Sequence, residues 1–442
     1  MKTVRTAIAA LGFLAICCPA QEVLTLDQAV AMALDHNRGL RGSALEIQKA
    51  QEKLKANWTR QLPSFSLQAL GAQQLQSFDF VLHQGVLGNY PGTGPLPGND
   101  VHLKSPLEPT GIITGKVSQP LSSLIRIRRN LDTQRTGVEL AREENRASRQ
   151  SVVREVKRLY YTLQQLESSL RSARETVALY KELGRLTENL VAGEVVLQSE
   201  LLDVQTHLAK AEQSESMFAD QRATAREQLN QLLGRDLLVA FEVQPVLEEA
   251  GAPMDLEAAR QRALEQRPEI REAQLRQKQA EQDLRAKKAE YIPDAAAEFN
   301  TLRFLNYGQF FPTGSNSAGV SLSWEPFDWG RKKHEAAEKQ HIVEQARNSQ
   351  QDARNSVLAD VNDKYRRLRQ SQTQLRVARL ARETAIESLR VSKNKFAVQS
   401  VLLKDVLQGQ VGLEQSNSDY QQALLSVWNS RADFERALGE DQ

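Results

Sequence analysis

Cysteine is nearly absent from this chain. Cys17 and Cys18 are the two in 442 residues, and both lie within the first twenty. A disulfide framework or thiolate metal cluster is therefore excluded from everything that follows them. No charge of one sign dominates: 57 Lys plus Arg stand against 55 Asp plus Glu, which removes the electrostatic case for nucleic acid. Beyond the N-terminus no apolar run approaches the roughly 18–20 residues of a membrane-spanning helix. Proline is missing from 121–244 and again from 327–442, so no proline interrupts long helices there, and the chain is expected to reverse near Ala192-Gly193 and at Ala397 to Ser400, where the apolar pattern breaks. No nucleotide loop, activated nucleophile or paired acid–base constellation stands out. Catalysis has no support, and no cofactor is expected.

What is present begins with residues 1–20, which read as a secretory signal peptide. Lys2 and Arg5 give a positive start, 7–16 is apolar, and Cys18-Pro19-Ala20 closes on small residues. Lipidation at Cys17 or Cys18 is disfavoured, because Ile16 and Cys17 occupy the preceding position where a small residue is needed. Cleavage after Ala20 would remove both cysteines, Lys2 and Arg5.

The stretch 293–330 alternates. Ala295, Ala297, Phe299 and Thr301 oppose Asp294, Ala296, Glu298 and Asn300. Ala318, Val320, Leu322 and Trp324 oppose Ser317, Gly319, Ser321, Ser323 and Glu325. A period of two predicts strands with one apolar and one polar face. Their length, about 9–11 residues, is what a tilted strand needs to cross a bilayer. Aromatics bracket the pair: Tyr307, Phe310 and Phe311 at the loop end, Trp324, Phe327 and Trp329 at the other. Such brackets suit both membrane interfaces. An amphipathic hairpin on a soluble core would show the same alternation.

An internal repeat decides more. At an offset of 230 residues Leu26 meets Leu256, Ala33-Leu34 meets Ala263-Leu264, Leu54 meets Leu284 and Pro63 meets Pro293. After the strands the offset drops to 206 and then 205, holding to Leu233-Gly234 against Leu438-Gly439. The first repeat, 21–242, has a helix over 26–61, strands near 64–73 and 110–119, and long helices over 121–234. A linker, 243–253, follows. The second repeat, 254–442, has a helix over 256–290, strands near 294–304 and 317–325, and long helices over 327–439. Residues 77–109, with five prolines and five glycines, are expected as a long exposed loop. Leu159, Leu163, Leu166, Leu170, Ala173, Val177, Tyr180, Gly184, Thr187 and Val191 form a heptad seam, as in a coiled coil. A weaker seam runs through Leu368, Leu375, Leu389 and Phe396, interrupted by Arg382. One helix from Arg126 to Ala192 would be on the order of 100 Å long, a length suited to a duct or spacer.

Four membrane strands cannot stand alone in lipid, since both sheet edges would hold unpaired backbone groups. Three copies would supply twelve strands, within the range of outer-membrane barrels. The competing reading is a periplasmic coiled-coil structural or adaptor protein, which accounts for the helices but not for strand pairs at matching places.

In order and duplicated, several motifs carry a family resemblance. They are L-T-L-D-Q-A-V-A-M-A-L-D-H-N from Leu24, L-P-S-F-S-L from Leu62, D-L-E-A-A-R-Q-R-A-L-E-Q-R-P-E-I from Asp255, V-S-L-S-W-E-P-F-D-W-G-R from Val320 and K-D-V-L from Lys404. Through them nearly all of the mature chain resembles the TolC-like outer membrane efflux proteins (outer membrane factors). The resemblance implies a mainly α fold with membrane β structure: a tandem-repeat protomer of a homotrimer with a twelve-stranded transmembrane β-barrel and a periplasmic α-barrel. It implies a passive, gated, porin-like exit duct for small molecules or proteins in an efflux pump or type I secretion system. The implied partners are a periplasmic adaptor (membrane fusion) protein, an inner-membrane transporter and outer-membrane lipid.

The resemblance also places the periplasmic entrance at the helix-hairpin tips, 191–202 and 396–407. Asp405 matches the family's acidic gate position, and Gln408 stands at its next one. Glu200 and Asp203 are their repeat partners in the first tip. Ala192, Gly193, Val196, Ser199, Val398, Gln399 and Val401 are adaptor-docking candidates. Gly193 resembles the family's tip glycine but sits one residue early in the repeat register. Arg126, Arg128 and Arg129 after the second strand, and Arg331, Lys332 and Lys333 after the fourth, form either a basic collar at the membrane or the charged start of a helix. His334, Glu338 and His341 share a helical face but lack a His-Glu-x-x-His pattern, and a polar helix face accounts for them.

Overall fold

The computed structural model describes residues 22–73, 75–77, 79–104, 107–245, 255–307, 312–398 and 400–440. The expected signal peptide with its two cysteines, most of the 243–253 linker, Phe310, Phe311 and Gln399 lie outside the described residues. In chain order the elements of the first half are β1 (Glu22–Leu24), α1 (Leu26–His36), α2 (Arg38–Trp58), β2 (Ser64–Gln73), β3 (Asp79–Leu82), β4 (Asn89–Tyr90), β5 (Gly94–Pro95), β6 (Val101–Lys104), β7 (Pro109–Pro120), α3 (Ser123–Ala192), α4 (Gln198–Leu233) and β8 (Phe241–Val243). The second half holds α5 (Leu256–Gln266), α6 (Pro268–Lys288), β9 (Asp294–Leu305), β10 (Gly314–Ser323), α7 (Arg331–Ala397) and α8 (Leu403–Ala437).

The helix starts follow from local signals. Thr25 and Gln28 form a reciprocal capping box at α1: Gln28 N–H donates to Thr25 Oγ1 at 3.2 Å, and Thr25 N–H to Gln28 Oε1 at 3.0 Å. Asp255 caps α5, accepting from Ala258 N–H at 3.3 Å. Asp328 caps α7, accepting from Gly330 N–H at 3.1 Å and Lys332 N–H at 2.9 Å.

Three sequence expectations are adjusted. The helices expected over 26–61 and 256–290 each break once, at Asn37 and Arg267, where ψ is 125° and 127°. Pro268 explains the second break, because a proline disfavours helical geometry at the residue before it. The 77–109 segment is not a bare loop, since β3 pairs with β6 and β4 with β5. The last strand runs over Gly314–Ser323, stopping short of the expected residue 325 and of Pro326, which has no N–H to give a ladder.

The chain divides into two compact units. One comprises Met1–Ala44, Glu143–Arg271 and Asp352–Gln442. Its main core gathers Leu24, Ala29, Ala33, Val156, Tyr160, Leu163, Leu229, Leu233, Phe241 and Trp428. β1 and β8 pair in parallel, and the buried Tyr160 hydroxyl lies 2.8 Å from the Leu24 and Gln244 carbonyl oxygens, tying both strands to α3. The seam expected on α3 is buried from Leu159 through Tyr180. Arg382, which interrupts the seam on α7, donates from Nε to Asn417 Oδ1 at 2.8 Å and lies over the Tyr420 ring at 5.0 Å, so α8 supplies its partners.

The other unit comprises Leu45–Arg142 and Glu272–Gln351. It holds a four-stranded antiparallel sheet in the order β10-β9-β7-β2. A small cluster of Ala280, Leu284 and Val343 packs its helices. Thr133 Oγ1 donates to Asp283 Oδ1 at 3.1 Å, adding a polar tie between α3 and α6.

Candidate functional site

The register of the sheet sorts its side chains into two faces. Phe65 stands opposite Val117, Val117 opposite Phe299, and Phe299 opposite Ala318. Leu67, Ala69, Ile113, Ala295, Ala297, Val320 and Leu322 share that face, because successive residues of a strand alternate sides. Leu67 is 76% exposed and Val320 71% exposed. A soluble sheet would bury such a face, so this one is shaped for an apolar surrounding. The opposite face carries Ser64, Ser66, Gln68, Thr114, Lys116, Ser118, Glu298, Asn300, Ser317 and Ser321. Among the described residues nothing pairs with the outer edges of β2 and β10.

Aromatic residues stand at both ends of these strands. Trp324, Phe327 and Trp329 are exposed, Trp329 to 89%, and the Phe327 and Trp329 rings meet edge to face at 4.8 Å. Tyr307 is half-buried and packs edge to face on Phe304 at 5.3 Å. The sequence reading missed Trp58 and Tyr291, both exposed just before β2 and β9. Trp58 was legible in principle, since three of the chain's four tryptophans flank these strands.

Three of the six residues in the two basic groups are answered by acids. Arg126 makes a forked contact with Asp294 Oδ2 at 3.1 and 3.2 Å. Arg331 reaches Glu325 at 2.6 Å and Glu335 at 3.3 Å, and Lys332 reaches Glu325 at 3.7 Å. Arg128, Arg129 and Lys333 are exposed at the two helix starts. His341 Nδ1 lies 3.4 Å from Glu344. Among the described residues no group of three or more metal-ligating side chains forms, and His334, Glu338 and His341 are not brought together as one.

At the helix-hairpin ends, α3 stops at Ala192 and α4 begins at Gln198, while α7 stops at Ala397 and α8 begins at Leu403. Ser400 N–H donates to Lys395 O at 2.9 Å, and Val195 N–H donates to Leu190 O at the same distance, the bond that closes a helix C-terminus over a left-handed residue. In the first turn that residue is Glu194, at φ 58°, and not the neighbouring Gly193. Glu200 and Asp405 both occupy the third helical position. The Asp405 carboxylate accepts Leu402 N–H at 3.0 Å, satisfying a donor that the helix start leaves open. Leu403 and Leu407 bury beside Val177, Tyr180 and Val204. Asp405 and Gln408 therefore project outward and border an open groove with Leu380, Thr384 and Ser388. Asp203 is exposed and Glu200 half-buried.

Of the docking candidates, Ala192, Gly193, Ser199 and Val398 are exposed, while Val196 and Val401 are half-buried. Val195, Leu197, Leu202 and Leu402 also stand in solvent, Leu197 to 71%. Sequence reasoning missed these four, because apolar residues at a helix end read as core until their direction is known.

A profile of the family described as outer membrane efflux protein matches residues 29–235 and 259–440. An uncharacterised protein of Haemophilus influenzae is 21% identical over 321 residues, and the match takes in 70% of this chain and 65% of that protein's length. Among solved structures, the outer-membrane channel OprN superposes with a TM-score of 0.76 at 19% identity, over 94% of this chain and 89% of its own. The Campylobacter jejuni outer membrane channel CmeC gives 0.76 at 16% identity, over 94% and 85%. At these identities the likeness is one of fold.

Proposed function

This chain belongs to the outer membrane efflux protein family, and we propose that three copies of it form a passive, gated exit duct across the periplasm and outer membrane. The observation that carries the reading is the two-faced sheet with open edges. In the half of the sheet around Leu67, Phe299 and Val320 one face is apolar and exposed and the other polar, while Leu70, Ile112, Leu302 and Phe304 make the second face more apolar towards the loops; unpaired edge groups in hydrocarbon cost several kcal/mol each. Antiparallel order lets β10 of one copy meet β2 of the next, so that copies close a barrel and no edge remains. Apolar side chains then face lipid and polar ones a water-filled lumen. Residues 1–20 would direct export, and the long helices would extend the duct into the periplasm.

A conduit of this kind holds no energy source of its own. An inner-membrane transporter would supply the drive, and a periplasmic adaptor would dock on the tips. The exposed Leu197 and Leu402 support that docking surface. Asp405, with Glu200, Asp203 and Gln408, would ring the entrance and favour cations. Because Asp405 also caps α8, the informative variant is Asp405→Asn, which keeps an oxygen acceptor and removes the charge. Channel conductance or block by divalent cations should change in Asp405→Asn, and an unchanged channel removes Asp405 from the gate. Cell fractionation with native mass measurement tests the whole reading. Recovery in outer membrane as a trimer is expected; a soluble periplasmic monomer would sink it.

A further inference from the structure

Lys116 on β7 and Glu298 on β9 share the polar face of the sheet. Lys116 Nζ lies 2.9 Å from Glu298 Oε2, and Ser321 Oγ on β10 donates to Glu298 Oε1 at 2.9 Å. The four strands contain four charged residues in all: Lys116, Asp294, Glu298 and Arg303. Asp294 is engaged by Arg126 at the strand's end. Arg303 stands opposite Ile113 and Gly314, on the other face. The rest of the polar wall is Ser, Thr, Asn, Gln and small or apolar residues. Lys116 and Glu298 are thus the one charge pair that the strands present on that face away from their ends. They are 43% and 19% exposed as side chains, so solvent on the polar side reaches both.

We propose that the Lys116–Glu298 pair sets the ion selectivity of the barrel by cancelling its own charge. The inference rests on the channel reading above and adds a selectivity determinant to it. In a closed trimer the pair recurs in each copy, placing three ammonium and three carboxylate groups around one level of the lumen. Charges about 3 Å apart are felt as a neutral dipole by an ion more than a Debye length, about 8 Å, away. The wall then discriminates little between anions and cations, as befits a duct that passes varied solutes. Removing one partner converts the level into a ring of one sign, which attracts counter-ions and repels co-ions. Lys116→Gln leaves carboxylates, and Glu298→Gln leaves ammonium groups.

The pair also bridges neighbouring strands diagonally, since Ser118 faces Glu298 and Lys116 faces Asn300. A purely structural role would alter assembly without moving selectivity. Reversal potentials of the full-length protein in planar bilayers, under a potassium chloride gradient, separate the two. The cation-to-anion permeability ratio is expected to rise severalfold in Lys116→Gln and fall severalfold in Glu298→Gln. The charge-swapped Lys116→Glu/Glu298→Lys variant should return it to the starting value. Channels that conduct but show no shift, or shifts of the same sign, overturn the proposal while leaving the duct intact.

A closed resting gate would silence the bilayer, so thiol labelling gives a second readout. In Glu298→Cys, an anionic membrane-impermeant thiol reagent should react faster than a cationic one of similar size. The preference should vanish when Lys116→Gln is added. No labelling, or labelling without preference, overturns the proposal independently of conductance. A protein that neither fractionates with the outer membrane nor forms trimers refutes the channel reading itself.

Discussion

Glu194 holds a left-handed backbone at φ 58° that costs an ordinary residue roughly 1 kcal/mol relative to glycine. Glu194→Gly is therefore expected to stabilise the first hairpin turn by about 0.5–1 kcal/mol, read as a rise in apparent unfolding temperature. The glycine already present, Gly193, sits one residue before the left-handed position and does not relieve it. Arg267 shows the opposite economy. It is 7% exposed, binds Glu269 at 2.8 and 2.9 Å and Asp360 at 2.6 Å, and stands at the break between α5 and α6. Burial alone would raise the Glu269 carboxyl; hydrogen bonds and charge from Arg267 outweigh it and hold the group below its ordinary value of 4.5. A depressed carboxyl stabilises the fold fully above that ordinary value and loses its contribution as pH falls below it. Arg267→Met takes the shared cation from the Glu269 and Asp360 carboxylates, leaving Glu269 only the longer contact to Arg436 at 3.7 Å. The expected loss at neutral pH is about 2–4 kcal/mol, below the fully buried figure because both acids keep partial solvent contact. Thermal unfolding at stepped pH should show the gap between wild type and variant closing towards acid pH, where the carboxyls are protonated. A gap that widens there would refute the account.

At the scale of elements, two glycines join helix ends. Gly234, after α4, has φ 72°, and a Cβ there would meet His36 O at 2.3 Å. Gly439, after α8, has φ 84°, and a Cβ would meet Gln266 C at 2.8 Å. His36 and Gln266 are the last residues of α1 and α5, so each glycine lets one long helix end lie against the break of a short one. Asn37 completes the first joint by donating from Nδ2 to Leu232 O at 2.9 Å. Gly234→Ala combines left-handed strain with a backbone clash, and about 2–4 kcal/mol of destabilisation is expected. Differential scanning calorimetry or heat-modifiable gel migration would read it, whereas Gly42→Ala, where a Cβ meets nothing within 4 Å, should be harmless. Of these joints the sequence disclosed the glycines, as a matched Leu-Gly at the ends of both helical stretches. It did not disclose the breaks they close against. Pro268 marks one openly, but in the first half Arg38 stands in its place, and Asn37 makes the break by accepting Leu40 N–H at 3.1 Å as the cap of α2 while donating to the Leu232 carbonyl.

At the scale of the whole molecule, the sidedness of the sheet can be tested directly. A charge on the lipid face costs about 2–4 kcal/mol near the bilayer midplane, while the lumen side tolerates it. Leu67→Lys is expected to abolish outer-membrane trimers, and Ser66→Lys, one residue away, to leave them. Equal tolerance at both positions would remove the membrane assignment of the apolar face. Alternation made the faces readable from sequence, because a strand's period of two fixes which residues share a side without reference to any partner. Proline-free heptads did the same for the long helices, and the buried seam from Leu159 to Tyr180 is that pattern realised. Direction and partner are different matters, since neither is a local property of the chain. Folding alone decided that Asp405 turns its carboxylate back on the Leu402 amide, that Arg382 finds its place on Tyr420, and that Lys116 and Glu298, 182 positions apart in the chain, meet across two strands. Each depends on which distant residue the fold brings within a few ångströms, and hydrogen bonds weaken steeply beyond about 3.5 Å.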